Sequence, residues 1–329
     1  MLIMVAPPPD RFHNRNRIGY GKNPDIGGRR RRRRYDRSGR DASPGVERFH
    51  PGAADTRVCG PHWKRVALGA LALGLRTRFL DFIGNDPQGE MILRRYRETG
   101  LDFRHLFHES GTRRSTNLVD AKGQRMAFYD PRHPFDLRMP SEFYTPYLRA
   151  TYHCHLSIMN WARHLYKETQ GSGVTTSTDL HDWDGENEYH KDFAYQSDLV
   201  FLSTAALRGR HEEVMRRILE KGSAKVVVAT AGALGGFFMV RENRTVRRFF
   251  SVDLGRPILD SNGAGDSFVA GYLSGYLQHL TTEDCVLRGA IAGAYACSHE
   301  GTHEEFVDRD KLQTYASDHQ MRDMAFGRG

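Results

Sequence analysis

The sequence predicts an α/β fold built on a largely parallel sheet. From about residue 66 onward, short apolar runs alternate with stretches of helical periodicity, which is the pattern of strand–helix–strand units. Several runs are separated by enough residues for a crossover helix, as parallel strands require. The 329 residues, 39% of them hydrophobic, are enough for about two domains, or for one large domain with a substantial core.

The predicted pattern begins with a helix, a strand and a second helix. Residues 66–73 are small and apolar, as expected for a buried helix, and residues 77–83 predict a strand. Pro87 stands in the first turn of the next helix, where its missing N–H costs little. Gly100 is expected to end this helix, because glycine tolerates the left-handed conformation that commonly follows a helix.

Strands dominate the middle of the chain. A hairpin is predicted over residues 115–119 and 125–129, joined through 120–123, and we expect it to lie outside the parallel sheet. Four apolar runs then predict buried parallel strands with room for helices between them. These runs are residues 152–158, 174–179, 199–203 and 225–230.

The C-terminal part is predicted to be mainly helical. A helix over residues 211–221 ends at Gly222, and two further helices cover residues 265–279 and 282–298. The last two are rich in Gly, Ala and Ser, and small residues let helices approach closely. We therefore expect close helix packing here, rather than ligand contact by each small residue.

The net excess of positive charge lies in the N-terminal part of the chain. The net charge is +8, but residues 1–65 hold 16 Lys and Arg against 6 Asp and Glu, so residues 66–329 carry −2. Six consecutive arginines occupy positions 29–34, in a stretch without periodicity that is typical of a solvated tail. Such a tail could bind nucleic acid nonspecifically, because arginines that neutralise phosphates release condensed counterions. No aromatic interleaving or helix-turn-helix pattern supports that function.

Cysteine spacing and hydropathy exclude other classes of protein. The four cysteines, at positions 59, 154, 285 and 297, form no CxxC pair and no zinc or disulfide pattern. No apolar stretch reaches the roughly 18 residues that a membrane span needs. The N-terminus carries no recognisable export signal. These observations predict a cytoplasmic protein without a membrane partner.

One segment carries the features of a reaction site, and it reads Asp260-Ser-Asn-Gly-Ala-Gly-Asp-Ser-Phe268. Its Gly-Ala-Gly turn lets the backbone approach an anion, and the N–H groups at the start of the following helix direct partial positive charge toward it. Phosphate fits such a site. Asp266, in the first helical turn, is either a carboxylate that stabilises the helix dipole or a general base toward a substrate hydroxyl.

Taken as a string, Asp260-x-x-Gly263-Ala-Gly-Asp266-x-Phe268 resembles the C-terminal signature of the pfkB, or ribokinase-like, carbohydrate kinase family. Residues 66–84 with Asp86-x-x-Gly89 resemble its N-terminal signature, and Leu118-Val-Asp-Ala-Lys-Gly123 fits its next hairpin. Thr230-Ala-Gly-Ala-Leu-Gly235 is similar to its nucleotide loop. The likeness covers about residues 52–310.

The resemblance implies a three-layer α/β/α domain with a mostly parallel central sheet and a small β lid around residues 110–130. It also implies ATP-dependent phosphorylation, with Mg²⁺, of a primary hydroxyl on a sugar or nucleoside. The residue matching Asp266 would be the base. The amides of Gly263, Ala264 and Gly265 would form the anion hole.

Further site residues follow from the same resemblance. Thr230, Gly232 and Gly235 would border the nucleotide, and Ser203, at the end of a predicted strand, would reach a phosphate or water. Asp260 is the side chain implied for a monovalent cation, K⁺, beside the anion hole.

The acceptor side departs from the family pattern. The family's first strand, which carries an acceptor-binding aspartate, has no match here. The Gly-Gly-x-x-x-Asn element that lines the sugar pocket reads Gly60-Pro-His-Trp-Lys-Arg65, which makes Gly60 and Arg65 candidates for acceptor binding. Asp179, at a predicted strand end, is a third candidate. The Asn-x-x-Glu motif that organises Mg²⁺ and phosphate reads Ser203-Thr-Ala-Ala206.

We therefore predict an N-terminal Arg-rich, poorly ordered segment over residues 1–51 and a kinase domain over residues 52–329. A homodimer formed through the lid is implied by the resemblance. Two alternatives stay open from the sequence. One is a catalytically silent nucleotide- or sugar-binding protein of the same fold, supported by Arg65, Ala206 and the missing first strand, and the other is a basic-tail nucleic-acid binder.

Overall fold

The structure, a computed structural model, describes residues 2–6, 64–119, 125–299 and 305–327, which belong to one compact unit. The strands are β1 (Leu2–Ala6), β2 (Arg76–Ile83), β3 (Asp102–Phe107), β4 (Arg114–Val119), β5 (Arg125–Asp130), β6 (His153–Leu156), β7 (Thr175–Asp179), β8 (Leu199–Ser203), β9 (Val226–Thr230), β10 (Gly236–Val240) and β11 (Arg247–Phe249). The helices are α1 (Lys64–Ala72), α2 (Pro87–Thr99), α3 (Ser141–Leu148), α4 (Asn160–Arg163), α5 (Tyr166–Thr169), α6 (Glu188–Gln196), α7 (His211–Lys221), α8 (Ala264–Tyr276), α9 (Thr282–Cys297), α10 (Arg309–Ser317) and α11 (His319–Phe326).

Nine strands form one sheet, in the order β11-β10-β9-β8-β7-β6-β1-β2-β3. Strands β6 to β9 are parallel to one another, and β2 is parallel to β3. Strands β1 and β10 run antiparallel to their neighbours. Helices cover both faces, so the predicted three-layer α/β/α architecture with a mostly parallel sheet is confirmed.

Strand β1 lies between β2 and β6 and runs antiparallel to both. Its residues Ile3, Met4 and Val5 are buried, as the apolar sequence of a central strand requires. The sequence offered no match for a first strand and placed these residues in a poorly ordered segment, so residues 2–6 depart from that prediction. Because β1 is reversed, Ala6 lies opposite Arg76, at the edge where β2 begins. The remainder of the predicted segment, residues 7–51, lies outside the described residues.

The two glycine-rich helices pack directly against each other. A Cβ atom on Gly271 of α8 would lie 2.5 Å from the carbonyl oxygen of Arg288 in α9, so this contact requires the absence of a side chain. Helix α1 packs on the same helix, where a Cβ on Gly69 would lie 2.9 Å from Cβ of Ala270. The small residues therefore set the position of α8, as the sequence indicated.

The predicted hairpin forms a separate two-stranded sheet, β4 and β5, with Arg114 opposite Asp130 at its open end. The connection, residues 120–124, lies outside the described residues. Asp86 ties the base of this lid to the domain, because its side chain accepts the N–H of Gly89 at the start of α2 and both the N–H and the hydroxyl of Thr112. Partial burial raises the pKa of Asp86, but these hydrogen bonds outweigh it and lower the pKa below its usual value.

No helix in the described part of the chain is long and apolar enough to cross a bilayer. The cysteines that the structure describes, Cys154, Cys285 and Cys297, are all free thiols. Cys59 lies outside the described residues.

Candidate active site

Three neighbouring parallel strands end at predicted site residues. Strand β7 ends at Asp179, β8 at Ser203 and β9 at Thr230, and Ser203 is directly opposite Thr230 in the ladder. The carboxyl ends of parallel strands face the ligand cleft in open α/β sheets. The structure therefore brings Asp179, Ser203 and Thr230 to one edge, as the sequence pattern predicts.

Asp266 lies buried in the first turn of α8, with only 6% of its surface exposed. Burial raises the pKa of Asp266, the charges of His181 and Arg65 lower it, and that of Asp179 raises it, with a result of about 7. A carboxyl group with this pKa exchanges its proton near neutral pH. Such a pKa suits a general base far better than that of an ordinary aspartate.

Helix α8 begins with free backbone donors. Gly263 precedes the helix with φ +78°, and within the described residues the N–H groups of Gly265 and Asp266 meet no protein acceptor. A Cβ on Gly265 would meet no atom of the described residues within 4 Å, so among these residues the glycine borders open space. Free N–H groups and space for a ligand are what an anion needs at a helix start. The N–H of Ala264 differs, because it donates to the carbonyl oxygen of Ser261 at 3.3 Å.

Arg65 lies against this same turn. Its side chain is 1% exposed, its Nε donates to Oγ of Ser267 at 3.0 Å, and its guanidinium lies 5.3 Å from the ring centre of Phe306. A Cβ on Gly263 would lie 2.3 Å from Cδ of Arg65, so glycine is required there. Arg65 thus contacts the helix that carries Asp266, and its buried side chain lies against the turn that begins at Gly263.

The segment after β7 contributes a histidine that the sequence analysis did not select. His181 has a φ of +50°, and its Nδ1 lies 3.5 Å from Oδ2 of Asp179. Burial lowers the pKa of His181, but the carboxylates of Asp179, Asp266 and Asp182 raise it above its usual value. The signal available in the sequence was the cluster Asp179-Leu-His-Asp182 directly after an apolar run.

The predicted nucleotide loop follows β9. A 3₁₀ turn spans Gly232–Leu234, and the N–H of Ala231 donates to the carbonyl oxygen of Gly235 at 2.7 Å, which closes the loop. Gly235 has φ +84°, and a Cβ there would lie 2.2 Å from the carbonyl oxygen of Phe249, so only glycine fits. Gly232, by contrast, faces open space. The loop therefore presents bare backbone to a ligand on the side of Gly232.

The remaining candidates are less central. Asp260 forms an Asx turn, in which its Oδ1 accepts the N–H of Asn262 at 2.8 Å. Ser203 accepts the N–H of Ala205 with its hydroxyl oxygen. Gly60 lies outside the described residues.

A second group missed by the sequence analysis lies after β6. Ser157 and Trp161 are each 3% exposed, yet Oγ of Ser157 and Nε1 of Trp161 have no hydrogen-bond partner within the described ranges. The hydroxyl of Tyr129, on the lid, lies 3.7 Å from Sδ of Met159 in the same segment. Buried polar groups normally find partners, so this segment has capacity for ligand hydrogen bonds. Its sequence carries no spacing that would have revealed this.

The two histidines of β6 have a structural role. Oγ of Ser177 lies 2.7 Å from Nε2 of His153 and 2.9 Å from Nδ1 of His155, and all three residues are buried inside the sheet. In the described part of the chain, no three His, Cys, Asp or Glu residues are grouped as metal ligands would be.

Comparison with known proteins agrees with this geometry. Residues 190–308 match the model of the pfkB family carbohydrate kinases. The chain is 41% identical over 248 residues to the acarbose 7(IV)-phosphotransferase of Actinoplanes sp., covering 75% of this chain and 83% of that protein. It is 24% identical over 277 residues to the 2-dehydro-3-deoxygluconokinase of Bacillus subtilis, covering 77% and 84% of the two chains.

Solved structures give the same result. A microbiome-derived acarbose kinase superposes with a TM-score of 0.73 at 44% identity, over 78% of this chain and 86% of the other. A ribokinase from Arabidopsis thaliana, complexed with ribose and ATP, shares the fold, with a TM-score of 0.66 at 16% identity over 78% and 86% of the two chains. The predicted resemblance is confirmed: the chain belongs to the pfkB family of carbohydrate kinases and is an ATP-dependent sugar kinase.

Proposed function

We propose that the enzyme transfers the γ-phosphoryl group of ATP to a hydroxyl group of acarbose or a closely similar sugar, with Asp266 as the general base. The acceptor is inferred from the two acarbose kinases at more than 40% identity. The observation that carries the chemistry is the position of Asp266, a buried carboxyl group in the same helical turn as two free N–H donors.

The proton transfer follows from the pKa of Asp266. With a pKa of about 7, the carboxylate is available near neutral pH and is basic enough to accept the acceptor hydroxyl proton as the reaction proceeds. As this proton moves to Asp266, the hydroxyl oxygen forms a bond to the γ-phosphorus. The bond from that phosphorus to the bridging oxygen breaks, and ADP leaves.

The start of α8 supplies the anion site in this proposal. The N–H groups of Gly265 and Asp266 lie at the positive end of the helix dipole, and the open space beside Gly265 lets phosphoryl oxygens approach them. Gly263 contributes the positive φ that starts the turn, and Ala264 lies between the two glycines. Arg65 adds a fixed positive charge behind this turn.

ATP is placed along the ends of β8 and β9. Ser203 and Thr230 are at the strand ends, and the backbone near Gly232 borders open space that fits a phosphate chain or ribose. Leu234 and Phe250 are exposed at 68% and 41%, on the loop and the strand end that meet at Gly235. Apolar side chains of this kind suit the face of a nucleotide base.

Mg²⁺ accompanies ATP in this class of reaction. Since the described residues form no cluster of three potential metal ligands, we place Mg²⁺ on phosphate oxygens and water, which is how this ion is commonly held. K⁺ binding near Asp260 remains part of the proposal, supported by the position of Asp260 three residues before Gly263.

The acceptor is placed between the lid and the segment after β6. Oγ of Ser157 and Nε1 of Trp161 are buried polar groups that a sugar hydroxyl would satisfy, and Tyr129 covers this segment from the lid. Asp179, at the end of β7, borders the same edge of the sheet. The predicted role of Arg65 is refined here, because a side chain that is 1% exposed is better suited to supporting α8 than to touching the acceptor.

Two further predictions from the sequence belong to this proposal. A homodimer through the lid is supported by Phe128 of β5, which is 56% exposed, and light scattering of the purified protein tests it. A cytoplasmic location would place the enzyme beside its ATP supply, and fractionation of expressing cells tests it.

The decisive experiment measures ADP formation by the purified full-length protein with ATP, Mg²⁺ and a panel of acceptors. Acarbose, ribose, fructose, 2-dehydro-3-deoxygluconate and adenosine are compared, and Asp266→Asn is the control. We expect acarbose-dependent turnover that falls by about 10²- to 10⁴-fold in Asp266→Asn, with ATP binding retained in calorimetry. Wild-type turnover in that variant would exclude Asp266 as the base.

The same experiment separates the alternatives. Turnover with ribose or fructose but not with acarbose would support kinase activity and reject acarbose as the acceptor. ATP binding without turnover on any acceptor would favour the catalytically silent protein of the same fold. Retention of RNA or DNA that disappears when the six arginines at positions 29–34 are replaced by glutamine, which leaves β1 intact, would favour the basic-tail binder.

A further inference from the structure

His181 is held in an unfavourable backbone conformation at the carboxyl edge of the sheet. Its φ of +50° is uncommon for a residue with a Cβ atom. The other four non-glycine residues with positive φ in the described ranges, Arg132, Arg208, Arg244 and His279, are all exposed, whereas His181 as a whole is partly buried. The backbone N–H of His181 donates to Oδ1 of Asp179 at 2.9 Å. The carbonyl oxygen of His181 accepts the N–H of Ser203 at 2.8 Å. Strained residues fixed on both sides in this way cluster at functional sites.

The packing of two strands against α8 places His181 near the proposed base. Asp179 is directly opposite Phe201 in the ladder between β7 and β8. The ring of Phe201 lies 6.4 Å from that of Phe268, which follows Asp266 by two residues in α8. Helix α8 therefore packs on β8, beside the strand that ends at Asp179, and the charges of Asp179 and His181 act on the Asp266 carboxyl group. The side chain of His181 is 38% exposed, so solvent reaches its imidazole ring.

Charged and titratable groups from several elements face His181 and Asp266. His181 is faced by Asp179 of β7, by Asp182 of its own segment, by Asp266 of α8, and by the imidazoles of His155 and His190. Asp266 is faced by His181, Asp179 and Arg65. Three carboxylates thus surround His181, while two cations and one carboxylate surround Asp266.

We propose that His181 is a positioning residue for phosphoryl transfer, whose cationic side chain, held by Asp179, keeps the buried carboxyl group of Asp266 ionised and able to accept the proton of the sugar hydroxyl. This inference rests on the proposed role of Asp266. Arg65 provides a permanent charge on one side of that carboxyl group, and His181 provides a titratable one on the other. The pair His181 and Asp266 then titrates as a coupled unit.

The first test needs no substrate. Nuclear magnetic resonance titration of the protein with ¹³C-labelled histidine follows the His181 ring, which is assigned by its loss in His181→Gln. In Asp266→Asn, the midpoint of His181 is expected to fall by about one pH unit, because one of its carboxylate neighbours is gone. A midpoint identical to that of the wild type would overturn the inference.

The second test uses the pH profile of kcat/KM with acarbose as the acceptor. In His181→Gln, the acidic limb is expected to move to higher pH by about one unit, with activity recovering toward the wild-type value at alkaline pH. The control is His190→Gln, which removes an imidazole that neighbours His181 but does not face Asp266. This variant should leave the acidic limb of the pH profile unchanged. If kcat/KM of His181→Gln were lowered by the same factor at every pH, the role of His181 would be merely structural and the inference would be overturned.

The two proposals fail in different ways. If Asp266→Asn keeps wild-type turnover, the proposed function of Asp266 is wrong. If Asp266→Asn loses turnover while His181→Gln leaves both the acidic limb and the rate unchanged, the role of His181 alone is rejected.

Discussion

Gly263 has no side chain because Arg65 occupies the space that one would need: a Cβ atom on Gly263 would lie 2.3 Å from Cδ and 2.7 Å from Nε of Arg65. Arg65 comes from the first residues of α1, and Gly263 starts α8 about two hundred positions later. The residue that departs from the family's acceptor motif therefore supports the turn that we propose to bind an anion. A Cβ atom on Gly265, two residues further along, would meet no atom of the described residues within 4 Å.

The first prediction contrasts these two glycines. Gly263→Ala should destabilise the protein by at least about 2 kcal/mol, because it combines a left-handed backbone with overpacking against Arg65. Gly265→Ala should keep or raise the free energy of unfolding, since alanine is favoured in helices and the space is open. Its Cβ would nevertheless enter the space proposed for phosphoryl oxygens, so kcat should fall at least about tenfold. Urea unfolding and steady-state kinetics measure the two effects, and full activity of a stable Gly265→Ala would contradict the site.

The second prediction concerns the pH dependence of activity. Because burial raises the pKa of Asp266 to about 7, the basic carboxylate forms as the pH rises through neutrality. We therefore expect kcat/KM to increase between about pH 6 and pH 8, with a midpoint near 7. Initial rates across this range measure the midpoint. A flat profile over these two pH units would show that a different group accepts the proton.

A stability measurement gives an independent check on Asp266. The folded carboxyl group keeps its proton to a higher pH than the unfolded one, whose pKa is near 3.8, so ionisation costs stability as the pH rises from about 4 to 7. Asp266→Asn should then be more stable than the wild type at pH 8, and the difference should shrink toward pH 4. Equal stability at both pH values would contradict the raised pKa.

The third prediction concerns the buried histidines of β6. Burial lowers the pKa of His153 to about 4 and that of His155 to about 3, so both are neutral in the folded protein. In the unfolded chain they gain a proton near pH 6.5, so stability falls as the pH drops from about 7 toward 4. Each should contribute a loss on the order of 2 kcal/mol between pH 7.5 and pH 5. Urea unfolding at the two pH values measures this loss. If the free energy of unfolding of His153→Gln fell as steeply with decreasing pH as that of the wild type, the prediction would be wrong.

The fourth prediction compares two ion pairs on β2. Asp81 and Arg113 form a salt bridge in which both residues are 4% exposed, while the pair Arg78 and Asp102 is about a third exposed. Asp81→Asn removes the carboxylate from a buried guanidinium and should cost about 3 kcal/mol. Asp102→Asn should cost less than about 1 kcal/mol, because water screens that pair. Equal losses in thermal or urea unfolding would show that burial does not separate the two pairs.

Several features follow from local sequence alone, and the structure confirms them. The strand over 199–203 and the helix over 211–221 have the predicted bounds, since strongly apolar runs and a capped amphipathic pattern leave few alternatives. Gly100 caps α2 with φ +71°, and the Gly263 turn precedes a helix as its composition indicates. The string from Asp260 to Phe268 was sufficient to indicate the family.

The tertiary structure decided the rest. The direction of β1 depends on pairing with β2 and β6, which are far away in the chain, so five apolar residues could not reveal it. The same holds for Arg65, whose contact with Gly263 and Ser267 joins residues about two hundred positions apart. The pKa values of Asp266 and His181 are shifted by burial and by each other's charge. Both effects arise only when the folded chain brings α8 and the segment after β7 together. The sequence thus determined which groups we propose for the chemistry, and packing determined their burial and the direction in which their pKa values shift.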